Sequence, residues 1–184
     1  ALQQMDEAKN VTTQIPQGGK LDLFVTATDL QGYEVLVPSG AGGASQRDRD
    51  NVQVFEFHSE ESQFDKPFTA TLAFAGRATA SFPGAFAPVS LNTFETETGI
   101  SGLGLHPSVF RYHYPDDDMA KSVSFVDGGV LDNAPFDVVI SAIARKRADA
   151  QVHRRIVYIE PDPGRNLYAK PDPQLPSKRR YLRD

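Results

Sequence analysis

The sequence predicts an α/β fold, and three observations carry that expectation. Residues 123–135 read as a strand, a glycine turn bearing an acid, and the opening of a helix. The stretch His153-Arg154-Arg155-Ile156-Val157-Tyr158-Ile159-Glu160 follows that helix and reads as a further strand, so residues 123–159 have the order strand–helix–strand. Such an order implies two parallel neighbours joined by a right-handed crossover. Earlier in the chain, residues 21–37 have the look of a β-hairpin and 67–80 that of a helix.

Val123, Phe125 and Val126 are strand formers. Gly128 and Gly129 accept positive φ and let another group approach the backbone closely. Asp132 or Asn133 can cap the next helix, and Pro135 suits its first turn because no N–H is needed there. Phe136, Val138, Val139, Ile140, Ala142 and Ile143 then form a mostly apolar helix, which ends in Arg145-Lys146-Arg147. Cations are favoured at that end by the helix dipole. Asp127 is thus expected at the carboxyl end of a strand, where open α/β sheets place their sites. A carboxylate that simply caps the turn fits the same residues.

The remaining elements follow in chain order. Residues 1–19 are a polar lead-in. Leu21–Leu30 is rich in apolar and β-branched residues and reads as a buried strand; Gln31-Gly32 is expected to turn it into Tyr33–Val37. Thr26, Thr28 and Asp29 would stand near the strand's end, where Asp29 fits turn capping as well as a site. Residues 39–51 read as a solvated loop, and without a lysine and a following Ser or Thr its glycines do not make a P-loop. Val52, Val54, Phe55 and Phe57 form another strand.

In the helix at 67–80, Phe68, Leu72, Ala75 and Thr79 share a face, and Gly76 suggests a close neighbour. Ser81–Val89, with two prolines and two phenylalanines, is apolar yet awkward for regular structure. It suits either a pocket wall or a buried core connection. Residues 90–121 read mainly as loop, with a short strand at 108–114 and an acidic turn at Asp116-Asp117-Asp118 that lacks the spaced ligands of an EF-hand. The four histidines show no metal-ligand spacing, and no metal or cofactor is expected.

Composition bounds the function classes. Hydrophobic residues make up 40% and charged residues 23%, an ordinary globular balance, and the net charge of −5 argues against nucleic acid as a partner. With no cysteine, thiol catalysis, disulfides and cysteine-held zinc are excluded. No apolar run approaches the roughly 20 residues of a membrane-spanning helix, and no signal peptide is visible. A start at Ala1-Leu2-Gln3-Gln4, with no initiator Met, is what a piece of a longer chain would show.

Three segments carry a family resemblance. Asp127-Gly128-Gly129 after an apolar strand, followed by Asp132-Asn133-Ala134-Pro135, resembles the second catalytic block of patatin-like phospholipases. Leu23–Leu30 resembles the family's preceding strand, and Arg77–Phe86 its helix end and Ser/Pro pocket wall. The resemblance runs from residue 21 to 163, and Tyr158–Pro163 is most similar to the larger bacterial patatin-related proteins. It implies a three-layer α/β/α sheet domain, with 1–163 as its C-terminal part and 164–184 as a Pro-rich basic tail or connector. It also implies lipid acyl hydrolysis by a Ser–Asp dyad. Asp127 would be the general base, with Gly128, Gly129 and Asn133 supporting its loop and Thr28, Ser81, Phe82, Pro83 and Phe86 in the pocket wall. A carboxylate is a weak base toward a hydroxyl, and close, partly desolvated placement strengthens it.

The departure from the family is equally legible. No serine here sits in a Gly-x-Ser-x-Gly nucleophile elbow, Gly99-Ile100-Ser101-Gly102-Leu103 being the nearest miss. A glycine-rich oxyanion loop is missing too. The expectation is therefore the base half of an active site, inactive alone. Its nucleophile would come from an N-terminal half of the domain, and its substrate would be a phospholipid or other acyl lipid, with peripheral membrane contact. The alternative is a non-catalytic, patatin-derived module that binds lipid or protein.

Overall fold

A computed structural model describes residues 15, 18–38, 40, 43, 45–100, 109–110, 114 and 116–159. The chain divides into two compact units, Ala1–Ala142 and Ile143–Asp184. Among the described residues, the first unit holds β1 (Asp22–Val37), β2 (Gln46–His58) and β3 (Phe125–Asp127) in one sheet of order β2-β1-β3. Both pairings are antiparallel. The helices are α1 (Thr69–Thr79), α2 (Leu91–Thr98), α3 (Asp117–Ser122) and α4 (Phe136–Arg145). This mixture of strands and helices is compatible with the α/β class.

The expected hairpin at 21–37 is instead one strand. Pairing with β2 runs from Asp22↔His58 to Thr28↔Val52 and resumes at Tyr33↔Asp50, so the residues between bulge out without reversing. Local hydrogen bonds explain why. Asp29 Oδ1 accepts from the backbone N–H of Gln31 (2.8 Å) and of Gly32 (2.9 Å), while Asn51 Nδ2 donates to the Asp29 carbonyl at 2.7 Å. Gly32 takes φ +71°, and a Cβ there would stand 2.6 Å from Arg49 Cγ. Bulged groups satisfied in this way leave the strand free to continue. The solvated loop expected at 39–51 is correspondingly shorter, because Gln46–Asn51 belongs to β2.

A polar cluster secures this bulge. Tyr114 donates its hydroxyl to Asp29 Oδ2 at 2.9 Å and accepts from Gln53 Nε2 at 3.2 Å. Asp29 and Gln53 are only 2% and 1% exposed. Burial pushes the Tyr114 hydroxyl well above the usual phenol range, and the neighbouring Asp29 charge adds to that shift.

The core is built largely from phenylalanines. Phe55 meets Phe74, Phe110 and Phe125 edge-on, with centroids 5.8, 5.1 and 5.5 Å apart. That geometry suits the ring quadrupoles. α1 buries Thr71, Phe74, Ala75 and Ala78, a face one step round from the one its spacing suggested. Among the described residues nothing lies within 4 Å of a Cβ at Gly76, so none of them supplies the close neighbour expected there.

Residues 90–121 contain two helices where loop was expected. Ser90 and Thr93 form a reciprocal capping box and Gly99 ends α2 at φ +68°, while Asp116 caps α3 by accepting from Met119 N–H at 2.6 Å. The acidic run is thus a helix start. Ser101-Gly102-Leu103 of the nearest-miss serine segment and most of 108–114 lie outside the described residues.

In the second unit, residues 146–159 are not a strand, and Val157 and Ile159 are 80% and 81% exposed. The βαβ reading of 123–159 is corrected on this point. Apolar, β-branched composition favours extended backbone, but a strand exists only when its N–H and C=O groups find a ladder. The tail at 164–184 lies outside the described residues.

Two outcomes test this packing. Phe55→Ala should cost about 3–5 kcal/mol in denaturant unfolding, because it opens a cavity at the centre of the cluster. Tyr114, whose folded value lies above its unfolded value near 10, contributes stability that is fully present below about pH 10 and lost as pH rises further. Urea midpoints measured between about pH 8 and 12 should fall less steeply in Tyr114→Phe than in the native chain.

Candidate active site

Asp127 ends a strand of three residues, which is too short to hold itself. Its geometry comes from both edges. On one side Ala27 pairs with Asp127, Thr28 with Val126 and Asp29 with Phe125. On the other side Val89 and Phe125 exchange backbone bonds of 3.0 and 2.8 Å, and the Ser81 carbonyl accepts from Asp127 N–H at 3.0 Å. The awkward 81–89 segment therefore covers the outer edge of β3. Prolines at 83 and 88 suit an edge because they have no N–H to contribute.

The acid itself is fixed by its own turn. Asp127 Oδ1 accepts from Gly129 N–H at 2.8 Å, and the chain enters a tight 3₁₀ turn, Gly128–Val130. Thr28 Oγ1 donates to the Asp127 carbonyl at 3.0 Å. Backbone N–H, backbone C=O and one carboxylate oxygen of Asp127 are thus each tied to a different partner. Oδ2 carries no hydrogen bond among the described residues, and the side chain is only part-buried. A carboxylate so placed can accept a proton from a group brought to its open side.

The two glycines do different work. At Gly128 a Cβ would fall 2.3 Å from the Thr26 carbonyl oxygen and 2.4 Å from Thr26 Oγ1, so this turn lies flush against β1. At Gly129 a Cβ would meet Asn133 Oδ1 at 3.0 Å and Asp127 Oδ1 at 3.2 Å, both side-chain atoms and both short by only a few tenths of an ångström. Asn133 thus lies against the turn, and the side chain of its neighbour Asp132 accepts from Ala134 N–H at 3.3 Å just before α4.

The structure brings Thr28, Ser81, Asp127, Gly128 and Gly129 together, with Asn133 beside the turn. Thr28 and Ser81, expected in the pocket wall, are 6% and 0% exposed and bond to backbone. Phe82 and Phe86, with Pro83 between them, are exposed. Asp29 faces the β1 bulge, away from this cluster. Two contributions escape sequence reasoning: the Ser81 carbonyl, and Gln31, whose Oε1 accepts from Ser124 N–H at 2.9 Å just before β3. A backbone acceptor leaves no mark in a sequence, and nothing local ties Gln31 to a partner 93 residues away.

The profile of the family described as patatin-like phospholipase matches residues 40–140, more than half the chain. The chain belongs to the patatin-like phospholipase family. The matched span contains both β3 with its Asp-Gly-Gly turn and the 81–89 segment. This patatin-like chain is also 32% identical over 153 residues to an uncharacterized membrane protein of Mycobacterium tuberculosis, an alignment covering 82% of the chain. It spans only 13% of the length of that relative. No solved structure matches.

The turn's packing makes the two glycines separable. Gly128→Ala should destabilise the protein by about 1–3 kcal/mol, because the clash is with backbone. Gly129→Ala should leave the melting temperature within a few degrees of native, since a shift of a few tenths of an ångström relieves its two side-chain contacts. The reverse ranking in thermal melts would show that the turn does not rest on β1 as described.

Proposed function

We propose that this chain supplies the general-base half of a patatin-like lipid acyl hydrolase, with Asp127 as the base of a Ser–Asp dyad. The observation that carries the reading is the state of the Asp127 carboxylate. One oxygen is held by Gly129 N–H while the other carries no hydrogen bond among the described residues, on a turn bonded to two neighbouring segments. Membership of a phospholipase family makes an acyl lipid the fitting substrate class.

In the proposed reaction, a serine hydroxyl gives its proton to Asp127 Oδ2 as its oxygen bonds to the ester's acyl carbon. The ester C–O bond then breaks and the departing alcohol takes that proton. Water repeats the sequence on the acyl-enzyme and restores both groups. Phe82, Pro83 and Phe86, exposed on the segment that pairs with β3, fit the apolar wall that an acyl chain needs. Thr28 and Ser81 are buried next to the Asp127 backbone and would support that wall.

The 184 residues hold no Gly-x-Ser-x-Gly, so in this reading the nucleophile and oxyanion donors belong to an N-terminal half of a three-layer α/β/α domain. Residues 1–163 would form its C-terminal part, inactive without the rest. Among the described residues, no helix is long and apolar enough to cross a membrane. An acyl-lipid substrate would bring this part of the protein into peripheral contact with a membrane surface. The exposed Phe82 and Phe86 also fit a second reading, a patatin-derived module that binds lipid or protein without catalysis.

The test pairs the intact mass of the natural protein with hydrolysis of a short-chain chromogenic ester. A mass well above 20.2 kDa is expected, with activity falling between about 10²- and 10⁴-fold in Asp127→Asn while the fold persists. Undiminished hydrolysis in that variant would remove Asp127 from the chemistry, and a natural protein without hydrolysis would favour the binding module.

A further inference from the structure

The outer edge of β3 needs something to keep it in place. The 81–89 segment supplies the Ser81 carbonyl that accepts Asp127 N–H, yet among the described residues it is neither strand nor helix. Its internal backbone bonds are confined to the turn at 82–86, where the Phe82 carbonyl accepts from Ala85 and Phe86 N–H at 3.0 Å each, so contacts outside the segment set the path of the rest.

Arg77, in the last turn of α1, reaches both ends of that segment. Its Nη1 donates to Ser81 Oγ, and Ser81 Oγ donates back to the Arg77 carbonyl at 2.8 Å. At the far end Arg77 Nη2 donates to the Ala87 carbonyl at 3.4 Å. Between them, the guanidinium carbon lies 5.7 Å from the centroid of the Phe86 ring. A guanidinium offers several donors in one rigid plane and stacks on aromatic faces, which a lysine ammonium does not reproduce.

We infer that Arg77 is a positioning residue for Asp127, acting through the 81–89 segment. Holding Ser81 and Ala87 together fixes the Ser81 carbonyl under Asp127 N–H and Val89 against Phe125. It also fixes the exposed Phe86 ring against the guanidinium. Arg77 bonds to the segment and not to the Asp127 side chain, so its effect on the acid is one of geometry. The inference rests on the general-base reading for its catalytic consequence, though not for its structural one.

The experiment uses the natural full chain and two variants, Arg77→Lys, which keeps the charge, and Ser81→Ala, which removes the hydroxyl but keeps the carbonyl. Hydrogen exchange is followed by mass spectrometry in peptides covering β3 with its glycine turn and in peptides covering the β1–β2 ladder. In Arg77→Lys the β3 peptide should exchange about tenfold faster or more while the ladder is unchanged. Ester hydrolysis should fall about tenfold in kcat with KM little altered. Equal exchange at β3, or acceleration of β3 and ladder together, overturns the inference. If Arg77→Lys fails to fold, Ser81→Ala decides by the same two peptides. Hydrolysis that survives Asp127→Asn would sink the general-base reading and leave the exchange result standing, so the two failures are distinguishable.

Discussion

The structure around the site depends on the pairing of a three-residue strand along both of its edges. β3 has too few residues to persist alone, and a two-stranded arrangement is marginal in water. Placed between β1 and the 81–89 segment, it exchanges backbone bonds on each side and buries Phe125 completely. Phe125 in turn packs on Phe55, Phe74 and Phe110, so the same residue secures the sheet edge and the core. Asp127 inherits its position from these contacts, and its carboxylate stands at the end of a strand paired on both edges.

The length of β1 is the second requirement. Its partner β3 meets it at Ala27, Thr28 and Asp29, immediately before the bulge. The bulge's internal bonds involve Asp29, Gln31, Gly32 and Asn51, and Tyr114 and Gln53 close the cluster from outside. A buried carboxylate with three donors has its polar demands met without a cation. The strand continues past the bulge, and ahead of it Thr26 lies against Gly128 while Thr28 bonds to the Asp127 carbonyl.

Much of the site is legible in the residues themselves. Asp127 between an apolar strand and paired glycines announces a strand end followed by a close approach, and the approach is real at Gly128 against Thr26. The family resemblance rests on those residues together with Arg77–Phe86, and the family profile supports it. Less legible are α2 and α3, although Ser90 with Thr93 and Asp116 are cap residues, a signal masked by the glycines nearby. The strand expected at 153–160 is missing among the described residues for a different reason. Its composition is right, but composition does not supply a neighbour to pair with.

What the sequence determined by itself was the local vocabulary: which stretches are apolar, where glycines permit tight turns, and which carboxylate stands at a strand end. It also established that no Gly-x-Ser-x-Gly lies among these residues. Only the tertiary structure decided that Gln31-Gly32 is a bulge, that Ser81–Val89 is an edge cover, and that Ser81 and Thr28 serve Asp127 through its backbone. The reason is physical. Side-chain periodicity and turn chemistry act within a few residues, whereas a bulge, an edge and a backbone acceptor are defined by partners some twenty to a hundred residues away.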